Sequence, residues 1–198
     1  MLQVFGGFIM NTSSNTGLHA LLALIALLFV AAGSAWADPI SIRYAGTGFD
    51  TAYDNGEDGL PIDISLADAK GSFGASKMEV AAEFMPPLED VDCAPGYDVA
   101  LGISFVSSVI TFEKMDQLIG FSWHNGWMCV NPTTGHHYGH GEGNFINGTG
   151  RFAGATGTWV ADYEGFNLEP GFLISNPVGW RTFTGVMTGD VIFPTTGD

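Results

Sequence analysis

The chain has 198 residues, of which 46% are hydrophobic and 14% are charged, and 21 acidic side chains against 6 basic ones give a net charge of −15. The basic residues are scattered singly, so no basic patch exists to bind nucleic acid or an anionic membrane surface. The apolar and aromatic content is too high for a disordered acidic tail. These totals predict one folded, acidic domain.

The first predicted element is a leader. Residues 20–32 form an unbroken apolar run of 13 residues, long enough for a signal-peptide core and short of the roughly 20 residues that span a bilayer. Ala35 and Ala37 form the pattern of small residues that signal peptidase cleaves. We therefore predict a signal peptide over residues 1–37, a single domain over 38–198, and a periplasmic or secreted protein. The region before the run departs from the signal-peptide pattern because it has no Lys or Arg, and an uncleaved anchor is the alternative.

Both cysteines, Cys93 and Cys129, lie in the predicted exported part. An even cysteine count in an oxidising compartment favours a disulfide, and two buried free thiols are the alternative. Because the chain has no C-x-x-C motif, the predicted bridge is structural and not a redox site.

Strand signals recur after the leader, while helical periodicity is nearly absent. Each alternating stretch predicts a strand with one wet face, which in 62–66 is the face of Asp63 and Ser65. Residues 50–59 and 85–96 are acidic and rich in turn residues, so we predict surface connections there. The predicted strands cover residues 40–44, 62–66, 77–84, 99–112, 117–123, 127–130, 138–146, 156–163 and 182–193.

The glycine-rich stretch 141–158 combines a predicted turn with several closely spaced glycines. Asn147-Gly148 is predicted to form a tight hairpin turn, and the later glycines permit bulges and close strand approach. The run N-G-T-G-R-F-A-G-A-T-G over 147–157 resembles the glycine-rich hairpin of the allene oxide cyclase and dirigent barrel superfamily, and 184–190 resembles its closing strand.

The resemblance implies an all-β fold, a closed antiparallel barrel of about eight strands with an apolar interior. Plant members of that superfamily steer the cyclisation or radical coupling of a small apolar molecule held inside the barrel. Some members form dimers or trimers, which suggests a homo-oligomer. No catalytic residue of the superfamily aligns with this chain, so no active-site role follows from the resemblance.

A histidine cluster is the candidate polar site. Imidazole is a common zinc and copper ligand, and histidine-rich tracts bind such metals. On a strand, His136, His140 and Glu142 share one face while His137 points to the other, and His124 completes the candidate set. The specific zinc spacings are absent. We therefore predict no cofactor, with zinc or copper at His124, His136, His140 and Glu142 as the alternative.

Three aromatic side chains are candidate ligand contacts at the barrel mouth: Trp123, Trp127 and Tyr138, with ordinary core packing as the alternative. No G-x-S-x-G or Walker motif is present, and no catalytic residue is assigned. We interpret the chain as an exported barrel that binds a small apolar molecule and is not an enzyme. The alternatives are an isomerase or cyclase acting inside the barrel, which requires an interior titratable group with a perturbed pKa, and a structural envelope protein with a packed barrel.

Overall fold

The computed structural model describes residues 36–51, 62–168 and 179–194. These residues form nine antiparallel strands and two short 3-10 turns, Glu113–Met115 and Gly150–Phe152. The strands are β1 (Trp36–Thr51), β2 (Ile62–Gly71), β3 (Gly74–Pro87), β4 (Val99–Phe112), β5 (Gln117–Trp123), β6 (Gly126–Val130), β7 (His136–Gly148), β8 (Thr156–Asn167) and β9 (Gly179–Phe193).

The sheet closes on itself into a barrel. Strands adjacent in sequence are neighbours, and β9 pairs with β1 along nearly the whole of both strands. β5 and β6 together fill one position, because β4 pairs with β5 through residues 105–111 and with β6 through residues 99–102, and both short strands pair with β7. The barrel therefore has eight strand positions. This confirms the predicted all-β fold class, and closure removes free sheet edges.

An irregularity in the wall separates β5 from β6. Ser104 is the extra residue of a bulge in β4, where the register with β3 shifts between Glu83 and Phe84. The Ser104 hydroxyl donates to Glu83 Oε1 at 2.6 Å, and the Ser104 carbonyl accepts from the His124 N–H at 2.7 Å. His124 itself has φ +51. The bulge bends the wall at Ser104, and such bends help a small barrel to close.

Several predicted boundaries need correction. β4 and β5 have the predicted bounds, but β1 reaches Thr51 and β3 reaches Pro87, so the predicted connections 50–59 and 85–96 begin too early. Residues 52–59 lie outside the described residues. So does the predicted leader, apart from Trp36 and Ala37, which begin β1.

Among the described residues, none of the helical segments has the length and apolar character to cross a membrane.

The predicted turn at Asn147-Gly148 is wrong. Both residues lie in β7, and Gly148 pairs with Leu118 of β5. The chain reverses after β7 through the 3-10 turn, where Gly150 (φ +59) and Gly154 (φ +72) supply the left-handed conformations. The Asn147 side chain instead accepts the Gly154 N–H at 3.2 Å and so ties the turn back to its strand.

The predicted facing of β2 is also wrong. Ile64 and Leu66 are 55% and 59% exposed on the outer wall, whereas Asp63 and Ser65 point into the barrel and are buried. The inward face of β2 carries small or polar side chains, and a large ring stands opposite one of the small ones. Ala69 lies opposite Tyr44.

One end of the barrel is closed by an aromatic plug, the rings of Phe73, Phe112, Phe152 and Phe193. Phe73 meets Phe112 and Phe152 edge to face, with centroids 6.0 and 5.2 Å apart. The Arg151 guanidinium lies over this plug, 4.8 Å from the Phe152 ring centre. Such cation–π contacts and aromatic pairs stabilise the plug beyond simple burial.

Glycines inside the wall make room for large interior rings. A Cβ on Gly143 would lie closer than 3.0 Å to the Trp159 ring and 2.5 Å from the Phe121 carbonyl oxygen. Gly139 and Gly185 receive the rings of Tyr163 and Tyr44 in the same way. The glycine repeat of β7 therefore packs against aromatic rings inside the barrel, in addition to permitting curvature.

A disulfide between Cys93 and Cys129 ties the segment 88–98 to the outer face of β6. In the same segment, the Ala94 N–H donates to the Tyr138 hydroxyl at 2.8 Å, and the rings of Tyr97 and Tyr138 are 4.8 Å apart. The predicted bridge is thus present, and the described residues include no free cysteine.

Substituting Gly143 tests the role of the interior glycines. We expect Gly143→Ala to lower the free energy of unfolding by about 1–3 kcal/mol, because the new Cβ overlaps Trp159 and backbone. Gly141→Ala is the matched control on the same face of β7, since its Cβ would meet no atom nearer than 3.7 Å. Urea denaturation of both variants checks this, and equal losses would contradict the steric explanation.

Removing the disulfide tests how much the Cys93–Cys129 bridge stabilises the fold. The bridge joins residues 36 apart, so Cys93→Ser with Cys129→Ser should destabilise the protein by about 4 kcal/mol on the chain-entropy model. Thermal unfolding of the double variant should match that of the wild type in reductant. A reductant effect that persists in the double variant would refute this assignment.

Candidate functional site

The end of the barrel opposite the plug carries five inward-facing polar side chains. We call this set the polar end: Asp50, Asp63, His137, Asn167 and Arg181, contributed by β1, β2, β7, β8 and β9. Each is less than 8% exposed. Buried charged groups are costly unless they are paired, so a cluster of this kind needs either internal partners or a bound molecule.

An ion pair organises the polar end. The Arg181 guanidinium pairs with Asp63, whose second contact is the Ser65 hydroxyl, which donates to Asp63 Oδ2 at 2.5 Å. The guanidinium also lies 5.6 Å from the centre of the Phe84 ring. Burial alone would lower the pKa of Arg181, but the carboxylates of Asp63 and Asp50 raise it above its ordinary value. Arg181 therefore stays charged inside the barrel.

Gly48 leaves the space in which the ion pair forms. It lies on β1 between β2 and β9, opposite both Ser65 and Arg181. A Cβ at Gly48 would stand 2.5 Å from Asp63 Oδ1 and 2.9 Å from Arg181 Nε. Neither of these two atoms has a hydrogen-bond partner.

Asp50 is the group best suited to proton transfer. It lies opposite Asp63 in the β1–β2 pairing, it is fully buried, and neither carboxyl oxygen has a hydrogen-bond partner. Burial raises the pKa of Asp50 to about 7, with Asp63 adding to the rise and Arg181 opposing it. The carboxyl can therefore gain or lose a proton near neutral pH.

His137 and Asn167 complete the polar end without adding charge. Burial, reinforced by the Arg181 charge, lowers the pKa of His137 to about 3, so its imidazole is neutral. Its Nδ1 lies 3.4 Å from the Gly135 carbonyl oxygen, whereas Nε2 has no partner. Both amide atoms of Asn167 are unpartnered as well.

A cavity of about 90 Å³ lies inside the barrel and reaches the ion pair. Its wall is mainly apolar, so the interior is neither completely filled nor uniformly apolar. The principal lining residues are Tyr44, Asp63, Ser65, Met78, Val80, Ala82, Phe84, Ile103, Val106, Ser108, Gly141, Trp159, Ala161, Tyr163, Arg181, Phe183 and Met187.

The predicted ligand contacts lie elsewhere. Trp127 and Tyr138 meet on the outer wall with their ring centroids 5.7 Å apart. Trp123 is 63% exposed and stacks on Phe121. None of the three lines the interior cavity, whereas Trp127 and Tyr138 line a second, more open cavity. Their role as ligand contacts at the barrel mouth stays a prediction.

The predicted metal ligands are brought together only in part. His140 lies between two carboxylates, with Nδ1 2.7 Å from Asp162 Oδ1 and Nε2 3.2 Å from Glu142 Oε1. The hydrogen bond to Asp162 raises the pKa of His140, and Glu142 adds to the effect. His124 instead contacts the Met85 sulfur, and His136 packs on Phe166. Within the described ranges, no group of three or more His, Cys, Asp or Glu side chains is arranged to hold a metal ion.

Neither the scan against protein-family models nor the comparison with curated proteins finds a match for the chain.

The sequence does not predict the polar end, because the pattern around each member indicates an exposed position. Asp50 falls in a predicted acidic surface connection, and Asp63 falls on the predicted solvent-exposed face of a strand. Arg181 is one of six basic residues scattered singly along the chain. A usable signal does exist on β2, where the face of Asp63 and Ser65 continues with Ala67 and Ala69. Small residues repeated on one face indicate the inside of a narrow barrel.

The pH dependence of stability tests the environment of Asp50. Because burial raises its pKa from 3.8 to about 7, the folded protein holds a proton between these values that the unfolded chain releases. The Asp50 carboxyl therefore lowers the free energy of unfolding as pH rises from about 4 to 7, by about 1.4 kcal/mol for each unit of the shift. His137, whose pKa burial lowers from 6.5 to about 3, acts in the opposite direction over part of this range. We expect Asp50→Asn to remove the Asp50 contribution and so to change the pH dependence of the wild type.

Urea denaturation at pH 4.5 and pH 8 measures the effect. Asp190→Asn, at an exposed position on β9, is the control and should keep the dependence of the wild type. If Asp50→Asn also keeps it, the carboxyl is not held in a desolvated site.

Proposed function

We propose that this protein is an exported barrel that binds a small, mainly apolar molecule inside its wall. The observation that carries the proposal is the interior cavity, which is lined mainly by apolar side chains and reaches the Asp63–Arg181 ion pair. Ligand sites typically combine an apolar wall with a few placed polar groups.

The volume of the cavity limits the size of the molecule. A cavity of about 90 Å³ is smaller than the roughly 150 Å³ that holds benzene in a well-studied engineered cavity. The bound molecule is therefore smaller than benzene, unless side chains such as Met78 and Met187 move to enlarge the space. Methionine is the side chain best able to do so.

Export and family membership are further parts of the proposal. The Cys93–Cys129 disulfide is compatible with an oxidising location, as the predicted leader requires. An eight-position barrel is what the resemblance to the allene oxide cyclase and dirigent superfamily implies. We propose membership of that superfamily on the glycine-rich hairpin and this architecture together.

A second candidate function is an isomerase or cyclase that acts in the same interior. The observation that favours it is Asp50, a buried carboxyl with unpartnered oxygens and a pKa of about 7. A general acid or base works best with a pKa near the operating pH. Asp63 and Arg181 line the cavity and would in that case orient the substrate, with Asp50 opposite Asp63 in the β1–β2 pairing.

Small-molecule binding is tested with 2-butanone as the probe. We expect saturable NMR shifts of cavity residues in the wild type, and loss of these shifts in Ala161→Leu, which fills the cavity beside Trp159. Ala45→Leu is the matched control, because Ala45 is exposed on the outer face of β1. Native mass spectrometry of the exported chain, purified gently, adds the mass of any molecule that it carries. If the wild type carries no molecule and 2-butanone causes no saturable shift, the binding proposal is wrong.

A further inference from the structure

Two separate pairs of buried polar groups belong to residues that line the same cavity. One is the ion pair, where Asp63 Oδ1 and Arg181 Nε have no hydrogen-bond partner. The other is formed by Ser108 and Trp159, whose Oγ and Nε1 atoms are likewise buried and unpartnered. All four residues line the cavity, and each is less than 8% exposed.

Ser108 and Trp159 converge over a glycine. A Cβ on Gly120 would stand 2.5 Å from Ser108 Oγ and 3.1 Å from Trp159 Nε1. The indole N–H can only donate, whereas the hydroxyl can donate or accept. An atom that satisfies the indole must therefore be an acceptor, such as a carbonyl or ether oxygen.

The ion pair favours a different functional group on the ligand from the one that Ser108 and Trp159 favour. Its free atoms are one acceptor, Asp63 Oδ1, and one donor, Arg181 Nε. A hydroxyl can donate to the first and accept from the second. A carboxylate there would face Asp63 and Asp50, and an ammonium would face Arg181, so an ionised group would be repelled from one side in a medium of low dielectric constant.

We propose that the cavity binds a small uncharged molecule that carries both an acceptor oxygen and a hydroxyl. The acceptor lies against Trp159 and Ser108, and the hydroxyl lies against the Asp63–Arg181 pair. Buried polar atoms without partners are rare in native proteins, and such a molecule supplies a partner to all four. This inference rests on the proposed binding function and adds the chemical class of the ligand.

Four probes with the same five-atom skeleton separate the two positions. 1-Hydroxypropan-2-one carries both groups, 2-butanone lacks the hydroxyl, 2-methyl-1-propanol lacks the carbonyl, and 2-methylbutane lacks both. NMR titrations give the dissociation constant of each probe for wild-type protein and variants. The preference for a carbonyl is the ratio of the constants for 2-methyl-1-propanol and 1-hydroxypropan-2-one.

Trp159→Phe removes the N–H donor and keeps an aromatic ring. We expect this variant to reduce the carbonyl preference about tenfold, the effect of one hydrogen bond in a desolvated site, because comparing ratios cancels the hydration of each probe. Ser108→Ala provides a second variant if Trp159→Phe folds poorly, with an expected reduction of three- to tenfold. Trp180→Phe, at an exposed position on the outer face of β9, is the matched control and should leave the ratio unchanged.

The outcomes distinguish this inference from the function on which it rests. If the probes bind but neither interior variant changes the carbonyl preference, the proposed ligand class is wrong and the binding function stands. If 2-methylpropan-1-aminium binds as tightly as 2-methyl-1-propanol at pH 7, the requirement for an uncharged group is wrong. If none of the four probes binds wild-type protein, the binding function itself is wrong.

Discussion

Arg181 and Asp63 meet inside the barrel across the bare backbone of Gly48, and much of the interior depends on this contact. Removing one partner of a buried ion pair leaves an uncompensated charge, which typically costs about 3–5 kcal/mol. Burial is the main cause that keeps His137 neutral and raises the pKa of Asp50, and the Arg181 charge reinforces the first effect and opposes the second. The fixed cation thus favours the deprotonated form of both neighbours.

Shape complementarity between rings and glycines supports this arrangement. A narrow eight-position barrel has little interior volume, and Tyr44, Tyr163 and Trp159 use space that Gly185, Gly139 and Gly143 leave empty. The plug of four aromatic rings closes one end. Space near the centre remains because Gly141 receives no ring at close range. The cavity therefore lies where the regular packing of aromatic rings against wall glycines is interrupted.

More of the fold than of the candidate site could be predicted from the sequence. Strand alternation depends on local residues, so β4 and β5 were predicted with their observed bounds. The facing of β2 could not be predicted from polarity, because the ring of Tyr44 opposite Ala69 decides which side has room. Asp50 and Arg181 are distant in sequence, and only closure of β1 on β9 brings them to one end. Their proximity is a property of the barrel and carries no local signal.

The reversed facing of β2 also affects how the protein behaves in solution. Ile64 lies opposite Phe49, whose ring is 4.9 Å from that of Trp180, so three neighbouring strands present an apolar stripe to water. At low ionic strength, a net charge of −15 keeps copies of the chain apart. Added salt screens this repulsion and leaves the apolar attraction intact. Concentrated preparations should therefore self-associate as salt is added and disperse when it is diluted, the reverse of what contacts between opposite charges produce.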